Sequence, residues 1–212
     1  MQDLNWKKKV IIYPTDTVWG IGGNIFEFDI YQKIQKIKNS APNKPVSILF
    51  SGLDQLKNYF DIKNIGYFQK TPDIDAFLNK FFILETTLLI PKKLNIKNEI
   101  PKWIYAEESN VGVRVLPKRT IEYIIQKVKS PIITTSLNVT GDPPITQIEM
   151  ARSFYDKYAP NEIFVTPKTI EDQTMSSASS TIVILEENTG PRILRAGQKV
   201  EEVKKLIKTI LD

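Results

Sequence analysis

Five short polar stretches, each set against an apolar run, hold the residues of this sequence that can do chemistry. Tyr13 to Gly20 (YPTDTVWG) puts Thr15, Asp16 and Thr17 directly after the apolar run Val10–Tyr13. Hydroxyls and a carboxylate at a strand end can hold the polar groups of an amino acid or a nucleotide, or can do no more than bond their own turn. Lys36, Lys38 and Lys44 surround the loop NSAPNKP. They can clamp a phosphate, or Lys36 and Lys38 can merely complement the C-terminal dipole of a helix. Arg114 stands inside VGVRVLP. A charge there needs a partner, either a structural carboxylate or the carboxylate of a ligand that fits the guanidinium fork. ITTSLNVTGDPP crowds Thr134, Thr135, Ser136, Asn138 and Thr140 at another strand end, the place where ligands of α/β sheets usually sit. Ser180 and Thr181 open the run STIVIL, and Arg195 closes ILR just before Gly197.

Two absences narrow the chemistry. The 212 residues include no cysteine and no histidine. Thiolate catalysis, a serine–histidine triad and cysteine- or histidine-ligated metals are therefore excluded. Lys, Arg, Ser, Thr, Asn, Asp, Glu, Tyr or the substrate's own groups must do the work. The formal net charge of +5 suits a polyanionic ligand or RNA without requiring either. With 42% hydrophobic and 25% charged residues, the composition is that of a globular protein. No apolar run approaches the roughly 18 residues of a membrane span, and MQDLNWKKKVIIYP lacks a signal-peptide core. A cytoplasmic protein without membrane contact is expected, with one domain over 1–212.

Alternating short apolar runs and amphipathic segments must position these stretches, which points to α/β or α+β. Strands are predicted at Val10–Tyr13, Val18–Gly22, Val46–Phe50, Thr86–Ile90, Val111–Val115, Ile132–Thr135, Ile182–Leu185 and Ile193–Leu194. Helices are predicted after Asp29 as N-cap (Ile30, Ile34 and Ile37 on one face), over Leu53–Tyr59 and Ile74–Phe81, and after Thr120 as cap. Another is predicted after Thr146, with Glu149 completing a capping box, and a basic amphipathic one over Val200–Leu211.

Taken in order, the stretches resemble the YrdC-like threonylcarbamoyl-AMP synthases of the short, single-domain type. The family's opening motif, roughly YPTDTVYGLG, stands here as YPTDTVWGIG, and its lysine–proline loop as IKNSAPNKPV. Its VRVP strand is VRVLP, its TSANxSGxP loop is TSLNVTGDPP, its STVVD strand is STIVI and its ILRPG is ILRAG. The likeness runs from about residue 10 to about residue 200. It implies a single YrdC-like α/β domain: a twisted mixed sheet with helices packed on it and a central basic cavity. It further implies ATP, L-threonine and bicarbonate or CO2 as substrates, Mg2+ accompanying ATP, and threonylcarbamoyl-adenylate with pyrophosphate as products. The adenylate would serve tRNA modification through separate threonylcarbamoyl-transferase proteins, and tRNA itself is a possible partner.

Residue by residue, the resemblance implies L-threonine contacts at Thr17, Arg114, Ser136 and Ser180. It implies an ATP site at Lys38, Lys44, Asn110, Asn138, Thr146 and Arg195, with catalysis resting on Lys38, Ser136 and Asn138 and with no protein-held metal. Three positions depart from the family pattern. Ser40 stands where the signature has Arg, and Leu49 stands near the place of a frequent histidine. Phe82-Ile83-Leu84-Glu85-Thr86 replaces a Trp-Pro-Gly-Pro turn. A divergent synthase is the expectation; the alternative is a catalytically degenerate protein of this fold that binds double-stranded RNA or tRNA. The larger hydrogenase-maturation branch, with its cysteine-rich modules, does not suit a cysteine-free sequence, and the longer synthase type does not suit this length.

Overall fold

The computed structural model describes residues 5–96, 100–186 and 190–209. Among them nine strands form one mixed sheet: β1 (Ile11–Tyr13), β2 (Gly20–Asn24), β3 (Ser47–Phe50), β4 (Thr86–Pro91), β5 (Asn110–Val115), β6 (Ile132–Ser136), β7 (Ile163–Phe164), β8 (Thr181–Glu186) and β9 (Gly190–Arg195). Their order across the sheet is β7-β1-β2-β6-β3-β5-β4-β8-β9. The pairs β1–β7, β3–β5 and β4–β8 are parallel, and the others antiparallel. Six α-helices accompany them: α1 (Phe28–Lys38), α2 (Leu53–Lys57), α3 (Ile74–Ile83), α4 (Arg119–Val128), α5 (Ile148–Tyr158) and α6 (Val200–Lys208). The α/β class and the mixed sheet expected from the sequence are thus what the chain adopts.

The two faces of the sheet are covered unequally. Alternation along each strand sends Ile12, Ile21, Ile48, Phe50, Val111, Val113, Val115 and Ile133 to one face. There they pack with Ile30 and Ile34 of α1, Leu56 of α2, Phe77, Leu78, Phe81 and Phe82 of α3, Phe154 of α5, and Val203 and Ile207 of α6. The opposite face sends Ile11, Tyr13, Leu49 and Ile132 into a smaller core, and α4 supplies its helical side with Ile121, Ile124, Ile125 and Val128. One ten-residue helix is about 15 Å long. A nine-stranded sheet is about 38 Å across at ~4.8 Å per strand spacing. The rest of that second face is left for something other than a helix core.

Register puts Arg114 on this second face. It lies opposite Leu49 of β3, and its neighbours Val113 and Val115 point the other way. Gly22 and Gly112 keep the face flat. A Cβ at Gly22 would sit 2.0 Å from the Ile133 carbonyl oxygen, and one at Gly112 would sit 2.7 Å from Ser47 Oγ.

The helix starts differ from the sequence expectation. Glu27, not Asp29, occupies the N-cap of α1, and Asp29 falls in the first turn. Thr120 lies inside α4, behind Lys118, because the buried Asp172 carboxylate takes its hydroxyl and backbone N–H. Gln147 precedes α5 with no side-chain cap bond, so the capping box of Thr146 and Glu149 does not form. Asp73 does cap α3, accepting from the Ala76 N–H at 2.9 Å. Helix α2 stops at Lys57, and β7, two residues long, had no periodicity by which to be foreseen. The last helix is described to Lys208; Ile210 and Leu211 of the expected segment lie outside the described residues.

Candidate functional site

A cavity of about 370 Å3 opens on the face that α4 leaves uncovered. Its wall comes from strand ends and the loops beyond them. Thr15, Thr17, Val18 and Trp19 follow β1, and Ser47 opens β3 behind Lys44 and Pro45. Arg114 lies in β5, Thr134 to Ser136 close β6, Thr87 lies in β4, Ser179 and Ser180 precede β8, and Arg195 ends β9. Residues 15 to 195 in sequence therefore meet in one hollow. Of the ten residues that the sequence marked, Thr17, Lys44, Arg114, Ser136, Ser180 and Arg195 line it.

Arg114 is 7% exposed. Its Nη2 pairs with Asp16 Oδ1, and its Nη1 donates to Thr17 Oγ1 at 3.0 Å. Its Nε is buried without a partner. The turn is held from within: Thr15 Oγ1 donates to the Val18 carbonyl at 2.6 Å and accepts from the backbone N–H groups of Thr17 and Val18. The turn reading of YPTDTVWG is therefore realised, since Thr15 bonds its own turn, while Asp16 and Thr17 meet the guanidinium and Thr17 also lines the cavity. Arg114 likewise has a structural carboxylate partner and also lines the cavity.

Lys38 and Asn138 stand behind the wall. Lys38 is 6% exposed, and its Nζ donates to the carbonyls of Ser136 and Asn138 (2.9 Å to the latter) and to Asn138 Oδ1 at 3.0 Å. That uses all three ammonium donors. Asn138 Oδ1 also accepts from Ser136 Oγ at 2.7 Å, and Nδ2 donates to the carbonyls of Val139 and Asp142. The pair braces the loop after β6 and fixes the direction of the Ser136 hydroxyl. Burial, and next the charge of Lys44, lower the Lys38 pKa to about 8.

On the far wall, Arg195 donates from Nε to the Ser180 carbonyl and from Nη2 to Ser180 Oγ, both at 3.0 Å. Ser180 Oγ lies 2.8 Å from Thr87 Oγ1. Burial and the charge of Arg114 lower the Arg195 pKa. Thr87 and Thr134 join the wall as residues the site assignment missed. Thr134 Oγ1 accepts from the Tyr13 hydroxyl at 2.7 Å, so its own proton is free to turn into the cavity. Its hydroxyl in an apolar run signalled it; Thr87 carried no such signal, because β-branched residues are ordinary in strands.

Asn110 and Thr146 do not line the cavity; Asn110 pairs with Pro91 at the other end of β5. Ser40 closes α1, with its backbone N–H on the Gln35 carbonyl, and does not reach the hollow. Leu49 is buried in the α4 core. Glu85 takes the left-handed backbone, φ 59°, that favours glycine. Its Oε1 meets Lys199 Nζ at 2.8 Å, while Oε2 is buried without a partner. Among the described residues no three His, Cys, Asp or Glu side chains gather as a metal site, and no helix is long and apolar enough to cross a membrane.

Comparisons with known proteins point to one family. The family model Sua5_yciO_yrdC, described as "Telomere recombination", matches residues 6–197. The threonylcarbamoyl-AMP synthase of Xanthomonas campestris pv. campestris (strain B100) is 27% identical over 135 residues, which is 64% of this chain and 67% of that protein. The protein of the same name from Wigglesworthia glossinidia brevipalpis is 29% identical over 147 residues, 68% of this chain and 69% of its own. Among solved structures, P. abyssi Sua5 complexed with L-threonine superposes with a TM-score of 0.75 at 24% identity over 97% of this chain. The match spans only 56% of that longer protein. E. coli YciO gives a TM-score of 0.68 at 19% identity, over 92% of this chain and 86% of its own. At these identities the two structures share the fold with this chain.

Proposed function

The chain belongs to the Sua5–YciO–YrdC family, and from that premise we propose that it is a threonylcarbamoyl-AMP synthase, joining L-threonine, bicarbonate or CO2 and ATP. The observation that carries the reading is the meeting of Arg114, Arg195 and Lys44 on one hydroxyl-lined hollow. Three cations there suit the carboxylate of an amino acid together with a triphosphate.

The chemistry asks little of the protein's own nucleophiles. Threonine's amine, once deprotonated, attacks the carbon of CO2 and becomes a carbamate. A carbamate oxygen then attacks the α-phosphorus of ATP, and the bond to the pyrophosphate oxygen breaks. The protein gathers the three substrates, aligns the attack and offsets growing negative charge. In this reading Arg114, Thr17 and Ser136 hold threonine, while Lys44 and Arg195 hold phosphate. Lys38 and Asn138 act by positioning Ser136. Ser180, whose oxygens accept from Arg195, would be a further threonine contact. Mg2+ would enter with ATP and offset phosphate charge; among the described residues no cluster of three carboxylates stands ready for a resident ion. The product would be consumed by separate transferases acting on tRNA in the cytoplasm.

The decisive experiment is isotope exchange between pyrophosphate and ATP with purified protein. Exchange should require both threonine and bicarbonate. Exchange without either, or none with both across Mg2+ concentration and pH, would overturn the assignment.

A second reading has its own observation. Lys127 and Lys168 Nζ lie 5.7 and 4.2 Å from the centre of the Tyr123 ring, and Trp6 packs edge-on against it. Aromatic rings among lysines are the ingredients of a nucleic-acid surface. Binding of double-stranded RNA or tRNA that falls steeply with salt, without nucleotide affinity, would favour this reading.

A further inference from the structure

Arg195 reaches the cavity because the last strand breaks its own alternation. Val183 pairs with Ile193, and both side chains meet the larger core. Paired residues of an antiparallel ladder share a face, and so do residues two apart on one strand. In a regular β9, Arg195 would therefore follow Ile193 toward that core. The register shifts instead: Ile182 pairs with Arg195, which leaves Leu194 as the extra residue of a bulge. Ile182 and Arg195 both line the cavity. One bulged residue thus turns the guanidinium to the second face.

Such a bulge needs an anchor beyond it, because a slip of one residue would restore the ladder and carry Arg195 to the other face. Two contacts supply the anchor. The Gly197 N–H donates to Thr181 Oγ1 at 3.0 Å, in a fit so close that a Cβ at Gly197 would sit 2.6 Å from the Ser179 carbonyl oxygen. Two residues on, Lys199 at the start of α6 meets Glu85 Oε1 at 2.8 Å. Glu85 is 6% exposed, holds a left-handed φ of 59°, and leaves its other carboxylate oxygen buried without a partner. Its backbone carbonyl accepts from the Thr181 N–H at 3.0 Å, beside Ser180. For stability alone glycine would serve better here, since it takes this backbone freely and buries no unmet oxygen. Resting on the synthase reading, we propose that Glu85 and Lys199 are positioning residues for Arg195: their ion pair fixes the segment 196–199 and so holds the bulge that aims the guanidinium at the phosphates of ATP. Arg195 spends two of its five N–H donors on Ser180 and keeps the other three for that ligand.

Calorimetric titration of the full chain with ATP and with L-threonine tests this. Glu85→Gly removes the carboxylate and relieves the left-handed backbone, so it should melt no lower than wild type. Its ATP affinity should nevertheless fall about three- to tenfold, part of one charge-assisted contact, with threonine affinity held within about twofold. Lys199→Met should lower ATP affinity likewise, and Lys199→Arg should keep it. In an Arg195→Ala background Glu85→Gly should cost nothing further, because both changes act through one guanidinium. Should Glu85→Gly not fold, Lys199→Met against Lys199→Arg still decides, and equal ATP affinity in those two overturns the proposal. ATP affinity unchanged in Glu85→Gly overturns the positioning role and leaves the synthase reading standing. So does a joint loss of ATP and threonine affinity, the mark of a loosened fold, or an undiminished further loss in the Arg195→Ala background. Wild-type protein that binds neither ATP nor threonine overturns both.

Discussion

Lys38 carries a titration close to ordinary working pH. Burial holds its pKa at about 8 against the usual 10.5. The folded value lies below the unfolded one, so between those pH values the unfolded chain binds more protons, and this residue's contribution to stability rises with pH. Below about pH 8 both states are charged and the cost of burying the ammonium is fully present. Relative to Lys38→Met, the wild type should therefore gain stability from pH 7.5 to 10.5, on the order of 3 kcal/mol at most. Urea denaturation at several pH values reads the difference, and a flat or falling one sinks the argument. The same deprotonation removes one donor from the brace on Ser136 and Asn138, so threonine binding should weaken as stability rises. At this scale the sequence was informative wherever a polar side chain broke an apolar run, as at Thr17, Arg114 and Ser136. It could not tell a residue that lines the cavity from one that braces it. Lys38 and Ser136 are 98 positions apart, and only folding shows which donor the ammonium serves.

Flatness of the second face depends on glycine in β2. At Gly22 an added Cβ would lie 2.0 Å from a backbone oxygen of β6, which cannot rotate away. Gly22→Ala should push β2 from β6, tilt the Tyr13–Thr134 contact and cost about 2–3 kcal/mol. In thermal melts that is a midpoint lower by roughly 4–12 °C. Gly52→Ala is the control. That residue has ordinary extended backbone (φ −165°) and open space around it, so its change should stay within about 1 kcal/mol. A Gly22 variant that melts like the control would refute the steric account. Every predicted strand exists, within a residue or two except the last, which starts three residues earlier at Gly190, because buried strands carry continuous apolar runs whatever their neighbours. The helix starts misled because a hydroxyl can choose between the local backbone and a distant partner. Thr120 chose Asp172, 52 positions away, and no local pattern records that choice.

One cooperative unit is expected of the whole molecule. Trp19 stacks on Phe164 in the larger core, Trp103 packs on Tyr31 at its rim, and Trp6 meets Tyr123 of α4 beside the smaller one. Tryptophan fluorescence should therefore report both cores at once, and its unfolding midpoint should coincide with that of far-ultraviolet circular dichroism. Two separated transitions would mean that the two faces fold independently and that 1–212 is not one domain. The strand order carries a consequence for timing. Arg195 closes the last strand, and Ser180 precedes the one beside it, so this side of the cavity is translated after the rest of its lining. A ribosome that has delivered only the first 160 residues holds β1 to β6 and a guanidinium at 114 with no opposite bank. A nascent chain, or a proteolytic fragment of that extent, lacks Ser180 and Arg195, and the hollow is closed only with the final fifth of synthesis.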